Sequence, residues 1–226
     1  MRKTIKHRLS SAQTATAQAE IEWLLNYHKI KVKRYRPSSS GCAYLKTAKI
    51  EIQEACATCP DRFGVALHEI KHIIDGDKGK RYEQEFWCDK YALDALVRLG
   101  FPGQEEWIRR MRWHSLSRLA MAVNRGLPVA KINPDVVAFF PEIDFKTWEG
   151  KSVFVSSAIS DLGYSVTTCK KLSRSEIETL LSLRGQILLK SEADDSTYGE
   201  WIVRRPNTHS GPTFSSLPEI VSYFNL

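Results

Sequence analysis

The segment FGVALHEIKHIIDG, residues 63 to 76, constrains this chain more than any other, because it sets two histidines and a glutamate in an apolar helical pattern. Its apolar positions are Val65, Ala66, Ile70, Ile73 and Ile74. They predict a largely buried helix, with an N-cap at Asp61 and a stop at Gly76. His68 and His72 are four residues apart, so both imidazoles project from one face, about 6 Å apart, and can reach one ion.

Glu69 follows the first histidine and is rotated from it by about 100° around the helix axis. In H-E-x-x-H sites a glutamate so placed stands beside the metal and can take a proton from metal-bound water. The alternative is a solvated amphipathic helix that carries these charges by accident. Burial of such side chains is unfavourable without a partner. The apolar surroundings therefore favour a metal site with His68 and His72 as ligands and Glu69 as general base.

A hydrolytic zinc site needs a third protein ligand and an open fourth position. The segment EQEFWCDKYALDAL predicts a second amphipathic helix over about residues 82 to 98. Glu85 and Asp89 share one face of it, where like charges repel each other and require a cation or a donor. Glu85 can bind the metal while Asp89 accepts the outer N–H of a ligand histidine. The alternatives are two solvated carboxylates, or Glu83 as the third ligand.

H-E-x-x-H followed by E-x-x-x-D on the next helix resembles the gluzincin metallopeptidases, and the short gap between His72 and Glu85 resembles the ImmA/IrrE family of bacterial metallo-endopeptidases. Residues 48 to 72 are similar to that family's strand, loop and R-F-x-x-A-H-E-x-x-H helix. In this chain Arg62, Phe63 and Ala66 each lie one residue further from the first histidine. EFWCDKYALDAL is similar to the family's E-x-x-A-N/D-x-F-A segment.

The resemblance implies an α+β fold with a zincin-like catalytic domain, which hydrolyses a peptide bond in a protein partner such as a transcriptional repressor. It implies His68, His72 and Glu85 as metal ligands and Glu69 as general base and acid. In zincins the strand before the metal helix pairs with the substrate backbone. The corresponding substrate-edge residues here are Lys49, Ile50, Glu51 and Ile52.

The predicted reaction follows from the ion. Zn²⁺ lowers the pKa of its bound water to about 7 and polarises the scissile carbonyl, while Glu69 takes the water proton and later delivers it to the leaving amine. Two histidines and a glutamate also accept Mn²⁺ or Fe²⁺. Candidate transition-state stabilisers are Tyr82, Tyr91 and His114. Each has an ordinary alternative, a core tyrosine with a satisfied hydroxyl or a packed or surface histidine.

The net charge of +7 is concentrated near the N-terminus, where residues 1 to 50 hold 11 Lys and Arg against 2 Asp and Glu. HKIKVKRYR, residues 28 to 36, predicts a strand with a basic outer face. Such a face could meet nucleic-acid phosphates or an acidic protein. An edge strand protected by lysines against aggregation explains it equally well. A second basic cluster comprises Arg109, Arg110, Arg112 and Arg118.

The chain has 226 residues and five cysteines. Its basic first residues lack an apolar h-region, and no stretch approaches the roughly 18 apolar residues of a membrane helix, so we expect no membrane association. An odd number of cysteines without an export signal predicts reduced thiols in the cytoplasm. Cys56 and Cys59, with Cys42 and His28 nearby, could form a second metal or redox site. Simple packing is the alternative for these cysteines and for Cys88.

Periodicity predicts a helix over about 11 to 27, strands over about 30 to 35 and 43 to 53, the two metal helices, and a helix over about 104 to 124. We expect a metallopeptidase domain at 1–127, a connecting segment at 128–141 and a small α/β domain at 142–226. In the latter, SVFVSS, QILLK and EWIVRR predict strands, and Ser173 and Ser216 begin helices with capping boxes. That domain could serve regulation or substrate docking, or be a plain structural extension.

Two classes of function remain open at this point. The first is a zinc-dependent endopeptidase. The second is a nucleic-acid- or repressor-binding module whose metal is structural or whose catalysis is lost. Glu69 favours the first, because a structural site has no use for a base beside an open coordination position. A fourth protein ligand closing the site would favour the second.

Overall fold

The computed structural model describes residues 7–37, 41–76, 78–156, 162–190, 201–208, 211–214, 216–224 and 226. They form a mixed α+β structure, as predicted, with three small sheets. The chain divides into two compact units. The first comprises the described residues of Met1–Arg118 and Ala158–Tyr164, and the second those of Leu119–Ser157 and Ser165–Leu226. The domain limits at 127 and 141 stay a prediction. No described helix is long and apolar enough to cross a bilayer.

Four long helices match the predicted segments closely. They are α1 (Ser11–Tyr27), α2 (Pro60–Asp75), α3 (Arg81–Arg98) and α4 (Gln104–Asn124), the last of which begins in the first unit and ends in the second. A capping box begins α1, since Ser10 and Gln13 satisfy each other's backbone N–H groups. Short local signals thus fix where this helix starts.

The start of α2 differs from the prediction by two residues. Cys59 occupies the N-cap position in an extended conformation and makes no side-chain capping bond, and Pro60 follows at the first helical position. Asp61 is therefore not the N-cap but lies in the first turn, where its charge is favourable beside the helix dipole. The predicted stop is confirmed, because Gly76 ends the helix with a φ of +67°.

The described residues of the first unit form one three-stranded sheet. Its strands are β1 (Lys31–Arg36), β2 (Cys42–Tyr44) and β3 (Lys49–Gln53). Their order is β1-β3-β2, with β1 parallel and β2 antiparallel to β3. The prediction of one strand over 43 to 53 is therefore wrong. A 3₁₀ turn at Leu45–Thr47 and a left-handed Ala48 reverse the chain between β2 and β3.

This reversal removes the predicted substrate edge. Because β3 is the central strand, Lys49, Ile50 and Glu51 face partners on both sides. Ile50 and Ile52 are buried in the core. The prediction that Lys49, Ile50, Glu51 and Ile52 form an open edge is wrong. Within the described sheet, the strand at the edge on that side is β2.

The hydrophobic core of the first unit lies between the sheet and the helices. It includes Ile21 and Leu24 from α1, Ile50 and Ile52 from β3, Phe63 and Leu67 from α2, Leu96 from α3 and Trp107 from α4. Each of these side chains is at most 2% exposed. The buried face of α2 explains why its histidines and glutamate lie inside the protein rather than in solvent.

The described residues of the second unit form two sheets and three short α-helices, besides the end of α4 and two 3₁₀ turns. Its elements are α5 (Pro134–Ala138), β4 (Lys151–Ser156), β5 (Ser165–Lys170), α6 (Arg174–Ser182), β6 (Ile187–Lys190), β7 (Trp201–Arg204), β8 (Thr213–Phe214) and α7 (Leu217–Phe224). β4 pairs with β5, and the other sheet has the order β6-β7-β8. The strands in SVFVSS, QILLK and EWIVRR are confirmed, as is the capping box at Ser173. The segment predicted as a connector contains α5.

Candidate metal centre

Two adjacent helices bring three potential ligands together. α2 contributes His68 and His72, whose Nε2 atoms lie 3.1 Å apart. α3 contributes Glu85, whose Oε2 lies 3.2 Å from Nε2 of His68 and 3.5 Å from Nε2 of His72. All three residues are buried, and their ligand atoms lie within 4.8 Å of one another. Within the described part of the chain, this is the one group of three or more histidine, cysteine or acidic side chains so arranged.

The chemistry of this donor set fits a divalent ion. Two imidazole nitrogens and one carboxylate are the ligands of many hydrolytic zinc sites. Burial disfavours a charge on His68, but hydrogen bonds to Asp89 and Glu85 outweigh it and raise the pKa of His68 to about 9. Burial also opposes ionisation of Glu85, yet hydrogen bonds from His68 and His72 hold the pKa of Glu85 well below its usual range. Both pKa shifts indicate that the surroundings favour positive charge at this position, which a bound cation would supply.

Asp89 connects the ligand cluster to α4. Its Oδ1 lies 2.7 Å from Nδ1 of His68, and its Oδ2 lies 2.9 Å from Nδ1 of His114. Burial raises the pKa of Asp89, but the hydrogen bonds from His114 and His68 prevail and lower it. The ionised carboxylate accepts a hydrogen bond from each imidazole, which leaves Nε2 of His68 directed at the other ligands. This is the geometry predicted for Asp89.

Glu69 is buried beside the cluster without belonging to it. Burial raises its pKa, although the neighbouring His68 and His72 act in the opposite direction. The backbone of Gly41 packs closely on this side chain, since a Cβ atom on Gly41 would lie 2.6 Å from Oε1 of Glu69. Only glycine fits there unless Glu69 moves. Nothing in the sequence around Gly41 pointed to a contact with Glu69.

A cavity of about 310 Å³ opens onto these residues. Its lining includes the three candidate ligands, Glu69, the strand β2 at Cys42 and Ala43, and arginines from α3 and α4. A polar cavity of this size beside three candidate ligands leaves room for a small molecule or a short part of a larger one.

The three predicted stabilisers have different positions. His114 lines the cavity, with its Nε2 atom 3.6 Å from Oε2 of Glu85. The hydroxyl of Tyr82 is engaged elsewhere, because it donates to Oε1 of Glu83 at 2.8 Å. Tyr91 is half-buried beneath the Nζ atom of Lys71, 5.3 Å from its ring centre. Neither tyrosine belongs to the described cavity lining. Of the three, His114 alone is in position to meet a ligand there.

The fallback ligand Glu83 lies outside the group. It accepts the Tyr82 hydrogen bond and lies 3.5 Å from Nζ of Lys80. The geometry of the described residues therefore favours Glu85 over Glu83 as the third ligand.

Comparisons with protein-family models, curated proteins and solved structures give no match. Membership of the ImmA/IrrE family stays a prediction.

The cysteines do not form a second cluster among the described residues. Cys42, Cys56, Cys59 and Cys88 are unbonded, and none of them belongs to a group of three potential ligands. Burial raises the pKa values of Cys56 and Cys88, which keeps both thiols protonated. These positions agree with the packing alternative for both residues.

The basic strand β1 is partly neutralised by one buried carboxylate. Oε2 of Glu51 lies 2.6 Å from Nε of Arg36 and 3.0 Å from Nη2 of Arg34, while Oε1 lies 3.3 Å from Nζ of Lys33. The Tyr44 hydroxyl donates to Oε1 at 2.9 Å. These groups, Arg36 foremost, lower the pKa of Glu51 to about 2. Much of the charge in this stretch therefore has a structural role within the sheet.

Proposed function

We propose that the protein is a metal-dependent endopeptidase of the ImmA/IrrE kind, with His68, His72 and Glu85 as ligands and Glu69 as general base. The observation that carries the proposal is the convergence of two imidazoles and a carboxylate from neighbouring helices. Beside them lies a buried glutamate that is not part of the ligand set. A three-residue site that opens on a cavity is typical of catalytic rather than structural zinc.

The donor set suits Zn²⁺ first, and Mn²⁺ or Fe²⁺ as alternatives. When bound, such an ion supplies Lewis-acid chemistry that activates water and polarises a peptide carbonyl. His68, His72 and Glu85 would hold it. The substrate would be a protein partner, for which a transcriptional repressor is the example that the resemblance suggests.

Glu69 would move the proton. Its carboxylate is buried, and burial raises its pKa from that of an exposed glutamate. A carboxyl group with a raised pKa is a better proton acceptor and donor near neutral pH than an exposed one. Glu69 would take a proton from the attacking water and return it to the amine that leaves.

Asp89 and His114 would orient the reacting groups. Asp89 holds the Nδ1 side of His68, which fixes the imidazole orientation needed for ligation through Nε2. The other oxygen of Asp89 holds His114 in the same way. With Nδ1 donating to Asp89 and Nε2 accepting from Arg118, His114 is fixed at the cavity wall.

The three-ligand set supports catalysis over a purely structural metal. A structural site is closed by a fourth protein ligand. Among the histidines that the structure describes, His114 is the nearest further one, yet it does not belong to the group of mutually close ligand atoms.

The test uses the Glu69→Gln variant and the wild-type protein, each loaded with Zn²⁺ and incubated with a proteome-derived peptide library. Mass spectrometry detects the cleavage products, and the metal content of each sample is measured alongside. We expect both proteins to hold the ion and only the wild type to cleave. A Glu69→Gln variant that cleaves at the wild-type rate would refute the assigned role.

A further inference from the structure

Arginine side chains line the cavity beside the candidate metal site. α4 carries Arg110, His114 and Arg118 at intervals of four residues, so the three side chains share one face of the helix. All three line the cavity, as does Arg81 from α3. His114 is thus flanked by an arginine one turn before it and another one turn after it.

Two of these arginines are held by carboxylates of the protein. Nε of Arg81 lies 2.6 Å from Oε1 of Glu85, and Nη1 of Arg110 lies 2.9 Å from Oδ1 of Asp61. Their positive charges are therefore partly compensated.

Arg118 is held only through Nε. That atom donates to Nε2 of His114 at 3.4 Å and lies 3.9 Å from Oε1 of Glu85. Among the described residues no partner contacts its two terminal nitrogens, and 38% of the side chain is exposed. Arg118 therefore presents an unused pair of donors at the cavity.

The charge of the lining points in the same direction. Arg81, Arg110 and Arg118 balance the carboxylates Glu69, Glu85 and Asp89 in number. A divalent ion would then make the cavity positive, and including Asp61 beside Arg110 does not reverse the sign. Such a cavity attracts an anionic group.

We propose that the site selects substrates with a carboxylate close to the scissile peptide bond, and that Arg118 binds this carboxylate. The inference rests on the proposed peptidase function and names its substrate class. The two terminal nitrogens of a guanidinium match the two oxygens of a carboxylate. Nε of Arg118 lies 3.9 Å from Oε1 of the candidate ligand Glu85, which is about the length of one residue. The substrate carboxylate therefore belongs within one or two residues of the cleaved bond.

The probes are succinyl hydroxamates that carry a short peptide, because a hydroxamate binds the metal directly and is not cleaved. One pair has Glu or Gln at the same position, and a second pair has a free or an amidated C-terminus. Binding to the full, Zn²⁺-loaded chain is measured by calorimetry. We expect the carboxylate member of at least one pair to bind roughly tenfold more tightly than its amide twin. The pair that responds shows whether a side chain or a chain end supplies the group.

Variants of α4 decide whether Arg118 is responsible. Arg118→Gln should remove the preference while the amide twins still bind, which shows that the metal site is intact. Arg118→Lys should restore part of the preference through its charge. Arg109→Gln is the matched control, since it makes the same change on the same helix outside the described cavity lining.

Equal binding of both members in both pairs would overturn the inference, as would a preference that survives in Arg118→Gln. Failure of every hydroxamate to bind would overturn it together with the proposed metal site. If the carboxylate preference is found but no peptide in any library is cleaved, the inference about binding holds and the peptidase proposal fails.

Discussion

At the scale of single residues, the site depends on side chains that have two partners each. Asp89 is the clearest case, because it divides its two oxygens between His68 and His114. An ionised carboxylate can accept both hydrogen bonds, whereas an amide has one oxygen and one NH₂ group. The orientations of the candidate ligand His68 and of His114 in the cavity wall therefore both depend on the charge of Asp89.

We expect Asp89→Asn to weaken Zn²⁺ binding by roughly 10- to 100-fold, because the amide cannot serve both imidazoles. Competition with a chelating dye measures the affinity. Asp94→Asn is the control on the same helix, where the exposed Asp94 pairs only with Lys90 among the described residues. Equal affinities for Asp89→Asn and the wild type would contradict the orienting role.

The contact between Gly41 and Glu69 allows a prediction about the general base rather than about a metal ligand. A methyl group at this position would collide with the Glu69 side chain, and no ligand atom is involved. We therefore expect Gly41→Ala to retain the metal but to lose most cleavage, because Glu69 must move. Peptide cleavage and metal content are measured on the same sample. Full activity in Gly41→Ala would show that Glu69 needs no such support.

Glu51 gives a pH dependence of stability. The cations around it lower its folded-state pKa to about 2 from 4.5. A lowered pKa stabilises the fold above the unfolded-state value, and the contribution is lost as the pH falls from 4.5 towards 2. Glu51→Gln should therefore be less stable than the wild type at pH 7, and the difference should shrink on acidification. Urea denaturation of both proteins across this pH range measures the difference in stability. A difference that stays constant down to pH 2 would contradict the lowered pKa of Glu51.

At the scale of elements, the positions of the helices create the site, and close contacts fix those positions. Gly64 on α2 lies against the ring of Trp107 on α4, and a Cβ atom at Gly64 would lie 2.5 Å from Cζ3 of that ring. Nε1 of Trp107 donates to the backbone oxygen of Asp89 at 3.0 Å. Trp107 therefore links α4 to both helices that carry the candidate ligands.

We expect Gly64→Ala to destabilise the protein by about 1–3 kcal/mol, because the added methyl group overpacks this contact. Denaturant unfolding, followed by tryptophan fluorescence, measures the change. An unchanged unfolding midpoint would mean that α4 can move away from α2 without cost.

The helices and strands also differ in how well the sequence predicts them. α1, α3 and α4 were predicted within a residue of their observed limits, because long apolar periodicity and local end signals determine them. The hairpin of β2 and β3 was missed, since a three-residue strand and one left-handed alanine leave little local pattern. That failure carried over to the substrate edge, because strand order depends on contacts distant in the sequence.

At the scale of the whole molecule, the candidate site combines local and distant information. Helical spacing was enough to pair His68 with His72 and Glu85 with Asp89, since i, i+4 neighbours share a face wherever the helix lies. The H-E-x-x-H motif added Glu69. Gly41, His114 and Arg118 reach the cavity only because β2 and α4 pack beside α2 and α3 in the first unit. Their functional meaning depends on tertiary structure, which no local pattern in this chain specifies.

The central claim is that one divalent ion is held by two imidazoles and one carboxylate. The most direct test is elemental analysis of the full chain and its His68→Ala, His72→Ala and Glu85→Ala variants, after equilibration with Zn²⁺ and removal of free ion. His28→Ala, outside the cluster, is the control. We predict one tightly bound ion per chain in the wild type and in His28→Ala, and its loss from the other three. A wild type that retains no zinc, or three variants that all keep it, would contradict the account.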